Sequence, residues 1–138
     1  MDKEEYEQRL KALSQTRGGY PVAAYRFVTK AVAFTVQHRR EEQSEGGRHI
    51  SGQELLEGIR QFALEQFGPL ALDVFADWGI TKTEHFGEIV FSLVQHNLLG
   101  ASEEDSIEDF ADGYDFRQVF LRPFAAPPAA DMPPTPIA

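Results

Sequence analysis

The segment from Trp78 to Phe116 constrains the fold of this 138-residue chain more than any other. It contains a Trp-Gly-Ile turn, an amphipathic helix, a Leu-Leu-Gly stop and an acidic stretch that returns to aromatic residues. The helix has the clearest 3.6-residue period in the chain. Its apolar face is formed by Phe86, Ile89, Val90, Leu93, Val94 and Leu98. A winged-helix unit presents its third helix and wing in this order, so we expect a winged-helix-like core over residues 50–121.

Two N-terminal helices are expected to form a hairpin over residues 1–38. The first, over residues 2–17, has an apolar row at spacings of four and three, formed by Tyr6, Leu10 and Leu13. Pro21 suits the first position of the second helix, because its missing N–H would be unpaired there in any case. The polar residues 39–49 contain two consecutive glycines and predict a flexible connection to the core.

Two capping boxes predict where helices of the core begin. In a capping box, a Ser or Thr and a Glu three residues later satisfy each other's free backbone amides. Ser51 and Glu54 show this pattern, and so do Thr81 and Glu84. We therefore expect helices that start at Ser51 and Thr81, with Gly100 as the stop of the second one.

The C-terminal part of the chain contains a segment whose secondary structure the sequence leaves open, followed by a tail. Residues 114–120 fit either a return strand, which would complete a small β-hairpin, or a last helical turn, and the pattern does not choose between them. Residues 125–138 are rich in proline and alanine and lack the apolar content to pack, so a disordered tail is expected. The predicted fold is mostly α-helical, with one globular domain over residues 1–124 followed by this tail.

The charge and composition of the chain restrict its partners. The net charge is −9. Residues 51–101 contain seven acidic and two basic residues, and residues 102–124 contain the same numbers. Such surfaces repel phosphate backbones, so nucleic acid is a disfavoured partner. Cysteine is absent, which excludes disulfides and thiolate metal sites. No apolar run reaches the ~18 residues that span a bilayer, and no signal peptide is evident. We expect a cytoplasmic protein with no membrane partner.

No residue pattern supports catalysis, a cofactor or a metal ion. Glu88, Ser92 and His96 are the residue types of a hydrolase triad, but the histidine does not stand between the acid and the serine. His85 and Glu88 supply only two ligands, whereas a zinc site needs three or four. The acidic run after the helix is a poor calcium loop, because Phe110 occupies the position of an oxygen ligand. We therefore predict a protein that is not an enzyme and has no cofactor.

The acidic helix face and the acidic loop form the predicted partner-binding surface. Its residues are Glu84, His85, Glu88 and His96 on the helix and Glu104, Asp105 and Glu108 in the loop. This charge favours a protein partner with a basic surface. The expected function is a non-catalytic protein–protein interaction module. The alternatives are a winged-helix regulator that binds nucleic acid and, third, a small-molecule-binding protein or enzyme.

Several short stretches of the sequence are specific enough to carry a family resemblance. They are residues 50–60, Phe67-Gly68-Pro69, Trp78-Gly79-Ile80, residues 86–91, Tyr20-Pro21 with Ala24-Tyr25, and residues 112–116. In these stretches the chain resembles a small family of uncharacterised bacterial proteins of the planctomycete and verrucomicrobial lineages. The resemblance covers about residues 20–124 and implies no activity. His85 stands where the family pattern has an acidic residue, which further weakens a catalytic role for this position.

Overall fold

Helices build the fold, and the computed structural model describes residues 2–42, 50–100 and 107–124. Within these ranges five α-helices follow one another: α1 (Lys3–Ser14), α2 (Val22–Glu42), α3 (Gly52–Phe67), α4 (Ala71–Asp77) and α5 (Thr83–Gln95). Shorter turns accompany them, with 3-10 helix at Gly68–Leu70, Ile107–Phe110 and Arg122–Phe124 and π-helix at Arg117–Leu121. The mostly α-helical prediction is confirmed.

The N-terminal helices α1 and α2 pack against each other, as the predicted hairpin requires. Arg26 of α2 donates a hydrogen bond of 2.6 Å to the carboxylate of Glu7 on α1. Helix α2 continues to Glu42, so the flexible connection predicted over residues 39–49 begins inside a helix. Three stretches with sequence predictions lie outside the described residues: 43–49, 101–106 and 125–138.

The undecided segment at residues 114–120 is helical from Phe116 onward. Phe116 and Phe120 stand four residues apart, so a helical turn places both rings on one side, and both are buried. The hydroxyl of Tyr114 donates to the backbone carbonyl of Leu56 at 3.0 Å, which ties the start of the turn to α3. Residues 107–124 contain no strand, so no β-hairpin forms there. The winged-helix arrangement itself stays a prediction.

Of the two predicted capping boxes, the structure contains the first. The hydroxyl of Ser51 accepts the N–H of Glu54 at 3.1 Å, and the carboxylate of Glu54 accepts the N–H of Ser51 at 3.3 Å. The box predicted at Thr81 is wrong, because α5 starts two residues later and its cap residue, Lys82, makes no capping hydrogen bond. The N–H of Thr81 is donated instead to Nδ1 of His85 at 3.0 Å.

Helix α5 also ends before the predicted stop at Gly100. Asn97 adopts the left-handed conformation, with φ of 59°. The N–H of Leu98 then reaches back to the carbonyl of Leu93 at 2.8 Å, a hydrogen bond typical of a Schellman motif. Asparagine tolerates this conformation better than most residues with a β-carbon. The helix therefore stops at an asparagine, and a search for glycine alone places its end too late.

An aromatic cluster joins the helices at the centre of the molecule. Phe75 of α4 is fully buried in it. Six rings lie with their centroids 5.1–6.2 Å from the ring of Phe75: Phe27, Phe67, Trp78, Phe86, Phe116 and Phe120. They come from α2, α3, α5, the turn after α4 and the C-terminal turn. Since one side chain contacts rings from so many elements, its packing fixes their relative positions.

Helices α2 and α3 pack against each other where Gly58 faces Thr35. A β-carbon added at Gly58 would lie 2.8 Å from Cβ of Thr35, a separation that real Cβ atoms essentially never show. Thr35 is buried, and its hydroxyl donates to the carbonyl of Ala31 at 2.7 Å. Glycine is required here because the side chain of Thr35 fills the space that a β-carbon would take.

Candidate protein-docking surface

The outward side of α5 carries a row of exposed side chains. Spacings of four, three and four residues place Glu84, Glu88, Phe91 and Gln95 along one side of the helix. Glu88, Phe91 and Gln95 are exposed and Glu84 is half-buried. We call these four residues the outer row of α5. The opposite side of the helix is buried through Phe86, Ile89 and Leu93.

Phe91 and Gln95 are the members of the outer row that the predicted partner-binding surface did not include, and Phe91 is the apolar one. Its side chain is 47% exposed, although phenylalanine is normally buried. The signal that could have found it is its register. Phe91 follows the buried Phe86 by five residues and Ile89 by two, so it falls off the apolar row of the helix. The outer row of α5 is therefore acidic with one exposed phenylalanine in it.

A tyrosine from the connection between α1 and α2 lies beside Glu88. The hydroxyl of Tyr20 lies near the carboxylate of Glu88. Burial of the hydroxyl, together with the negative charge of Glu88, raises the pKa of Tyr20 to about 12. The backbone N–H of Tyr20 donates to the hydroxyl of the buried Tyr25 at 3.1 Å, which anchors this tyrosine in turn. Tyr20 therefore lies beside the acidic side of α5.

The two histidines of the predicted surface are not brought together. His85 is half-buried, accepts the Thr81 amide and lies with its ring centroid 6.2 Å from that of Tyr20. His96 is exposed at the other end of α5, and its Nδ1 lies 2.9 Å from the carbonyl of Ser92. Eleven residues separate them, or roughly 16 Å along a helix. His85 thus serves the local structure, whereas His96 can reach a partner only at the far end of the row.

Glu84 stands where α5 meets the end of the acidic loop. Hydrogen bonds from its own backbone amide and from that of Asp112 hold the pKa of Glu84 below its usual value. Its carboxylate is therefore charged at neutral pH. Glu104 and Asp105 lie outside the described residues, and for Glu108 only the backbone is described. The acidic members of the predicted surface with described side chains are therefore Glu84 and Glu88.

Hydrogen bonds of Thr83 connect the segment after the acidic loop to the start of α5. Its buried hydroxyl donates to the carbonyl of Phe110 at 2.6 Å and accepts the N–H of Gly113 at 3.0 Å. Phe110 also packs directly on Gly87, where an added β-carbon would lie 2.9 Å from Cβ of the phenylalanine. The chain therefore returns from the acidic loop to the end of α5 that carries Glu84.

We expect Thr83→Val to lower the free energy of unfolding by about 2 kcal/mol. The substitution preserves the shape of the side chain but leaves the Phe110 carbonyl and the Gly113 amide without their hydrogen-bond partner. Urea denaturation measures the loss. Thr81→Ala is the matched control, because Thr81 is exposed and the replacement should change stability by less than about 0.5 kcal/mol. A larger loss at Thr81 than at Thr83 would contradict the observed start of α5.

Other kinds of site find little support in the described residues. No group of three or more His, Asp or Glu side chains among them could hold a metal ion. An open groove of about 480 Å³ runs beside α1, lined by Glu4, Glu7, Gln8, Lys11, Ser14, Gln15 and Val22. All of these side chains are exposed or half-buried, so the groove presents no buried polar group that would orient a small molecule. No helix of the described chain has the length and apolar character to cross a membrane.

Comparison with known proteins adds no relative. No model of a protein family, no curated protein and no solved structure matches this chain. The function of the outer row of α5 therefore has to be inferred from its own geometry and charge.

Proposed function

We propose that this chain is a protein-interaction module that docks a basic partner on the outer row of α5. The observation that carries the proposal is the exposure of Phe91 between Glu88 and Gln95. Protein interfaces are enriched in aromatic residues, which lie at the centre and are surrounded by polar side chains. Phe91 supplies the apolar centre, and Glu84 and Glu88 supply charge around it.

The sign of the charge supports a protein partner over nucleic acid. Helix α5 contains no lysine or arginine, and the nearest basic residue is Lys82 at its cap. Phosphate contacts supply most of the non-specific affinity for DNA and require such side chains. A helix that reads bases uses arginine, lysine, asparagine or glutamine. The outer row offers Gln95 alone from this set.

The acidic side chains and the phenylalanine of the outer row are expected to contribute differently to binding. Charges at the edge of an interface mainly raise the association rate and make it sensitive to salt. A buried aromatic anchor mainly slows dissociation, and its truncation costs at least about 1.4 kcal/mol, or tenfold in Kd, when it is a hot spot.

Three variants of the full chain test the proposal. Wild type, Phe91→Ser and Glu88→Lys are used to capture proteins from the source cells, with Glu65→Lys as the control. Glu65 is an exposed acid on α3, so the control makes the same change of charge away from α5. We expect one partner that is retained by wild type and by the control but lost with both α5 variants. Titration of that partner after purification should give a Kd at least about tenfold weaker for Phe91→Ser.

Two results would overturn the proposal. One is a partner whose affinity changes as much with Glu65→Lys as with Glu88→Lys, because binding would then follow net charge alone. The other is sub-micromolar retention of mixed DNA duplexes at low salt that disappears as salt rises. That result would instead establish the nucleic-acid-binding alternative.

A further inference from the structure

A second exposed apolar surface lies at the C-terminal end of the described chain. Among the described residues, three more large apolar side chains are exposed besides Phe91: Leu70 at 61%, Leu121 at 41% and Phe124 at 46%. The turn Gly68–Leu70 packs against the turn Arg117–Leu121, and Phe124 belongs to the turn that follows directly. We call Leu70, Leu121 and Phe124 the C-terminal patch.

The C-terminal patch carries positive charge. Arg117 and Arg122 stand in the same two turns as Leu121 and Phe124, and both arginines are exposed. Neither forms an ion pair with another residue of the described chain. The patch is thus apolar and basic, whereas the outer row of α5 is apolar and acidic. One copy of the chain therefore carries two apolar surfaces of opposite charge.

We infer that the basic partner of the outer row of α5 is a second copy of this chain, which contributes its C-terminal patch. The inference rests on the function proposed above. In such a contact Phe91 of one copy meets Leu121 and Phe124 of the next, and Glu88 lies within reach of Arg122. The two surfaces differ, so the contact is heterologous. Each copy keeps one surface free, and copies assemble head to tail into rings or filaments.

The net charge of −9 opposes contact between two copies, but it does not exclude it. At physiological salt, charges in water are screened beyond roughly 8 Å. Opposite charges across a contact lie closer than this, whereas most of the repelling charges lie farther apart. We therefore expect an association that is weak, grows with protein concentration and requires both surfaces.

Complementation between two variants tests this inference. The first variant, Glu88→Lys with Phe91→Ser, removes the outer row. The second, Arg122→Glu with Leu121→Ser, removes the C-terminal patch. Sedimentation velocity of the wild-type chain should show a mean mass that rises with concentration. Each variant alone should remain a monomer, because every contact needs one surface of each kind. An equimolar mixture should form a dimer and nothing larger, since the first variant still has its patch and the second its row.

Glu65→Lys is again the control, and it should assemble like wild type. Circular dichroism of each variant checks that it is folded, as expected for substitutions at exposed positions. The inference is overturned if wild type stays monomeric at the highest soluble concentration or if the mixture of folded variants does not dimerise. A monomeric wild type that still loses an external partner with Phe91→Ser would leave the proposed function intact. Assembly that does not need Phe91 and Glu88 would instead remove the role of the outer row.

Discussion

Phe75→Ala should lower the free energy of unfolding by about 3–5 kcal/mol, the range for truncation of a buried phenylalanine. Phe75 is fully buried, and six other rings surround it. Alanine removes the ring and leaves a cavity that these neighbours cannot all fill, because each is held by its own helix or turn. Domains of this size are stable by only about 5–15 kcal/mol, so the variant should lose much of its stability.

Phe91→Ala is the matched control for this experiment. It makes the same chemical change at a side chain that is 47% exposed, so the stability should change by no more than about 0.5 kcal/mol. Urea denaturation followed by far-ultraviolet circular dichroism measures both variants. If the two losses were equal, the cluster around Phe75 would not be the centre of the core.

Gly58→Ala should lower the free energy of unfolding by about 3 kcal/mol, the upper part of the usual range for overpacked cores. The added methyl group would lie 2.8 Å from Cβ of Thr35. Rotation of the threonine cannot relieve this contact, because Cβ does not move when the side chain rotates. Helices α2 and α3 would have to separate, and this loss outweighs the roughly 1 kcal/mol that alanine gains over glycine within a helix.

A double-mutant cycle with Thr35→Ala checks the cause of this effect. Alanine at position 35 removes the hydroxyl oxygen, which is the closest contact of the added methyl group, and Cγ2, but it keeps Cβ at 2.8 Å. Gly58→Ala should therefore cost less in the Thr35→Ala background without becoming neutral. Gly100→Ala is the control, because nothing lies within 4 Å of the position of its β-carbon. Additive losses at Gly58 and Thr35 would mean that the two residues do not meet.

Local interactions were predictable from the sequence, and distant ones were not. The Ser51 capping box was predicted correctly because both of its partners lie within four residues. The start of α5 was not, because Thr83 bonds to Phe110 and Gly113, which are 27 and 30 residues away. Residues 114–120 stayed undecided for the same reason. Their pattern fits a strand or a helix, and burial of Phe116 and Phe120 against Phe75 selects the helix.

The candidate surface shows the same division. Helical spacing places Glu84 and Glu88 on the outward side of α5, where the structure has them. Helical spacing also places His85 on the predicted surface. In the structure, Nδ1 of His85 instead accepts a hydrogen bond from the Thr81 amide, and the ring lies beside Tyr20. The charge pattern of the sequence therefore identified α5 and its acidic side as the candidate surface. The side chains that belong to the surface depend on contacts with a separate part of the chain.

The position of Trp78 gives the protein a natural optical probe. It is the single tryptophan of the chain, and its ring centroid lies 5.7 Å from Phe27, 5.9 Å from Phe67 and 6.0 Å from Phe75. These rings belong to α2, α3 and α4, so the indole emission reports whether the three helices stay together. None of these three rings belongs to α5, so we expect a partner on the outer row of α5 to leave the indole emission unchanged. Fluorescence can therefore follow unfolding during binding experiments without a label.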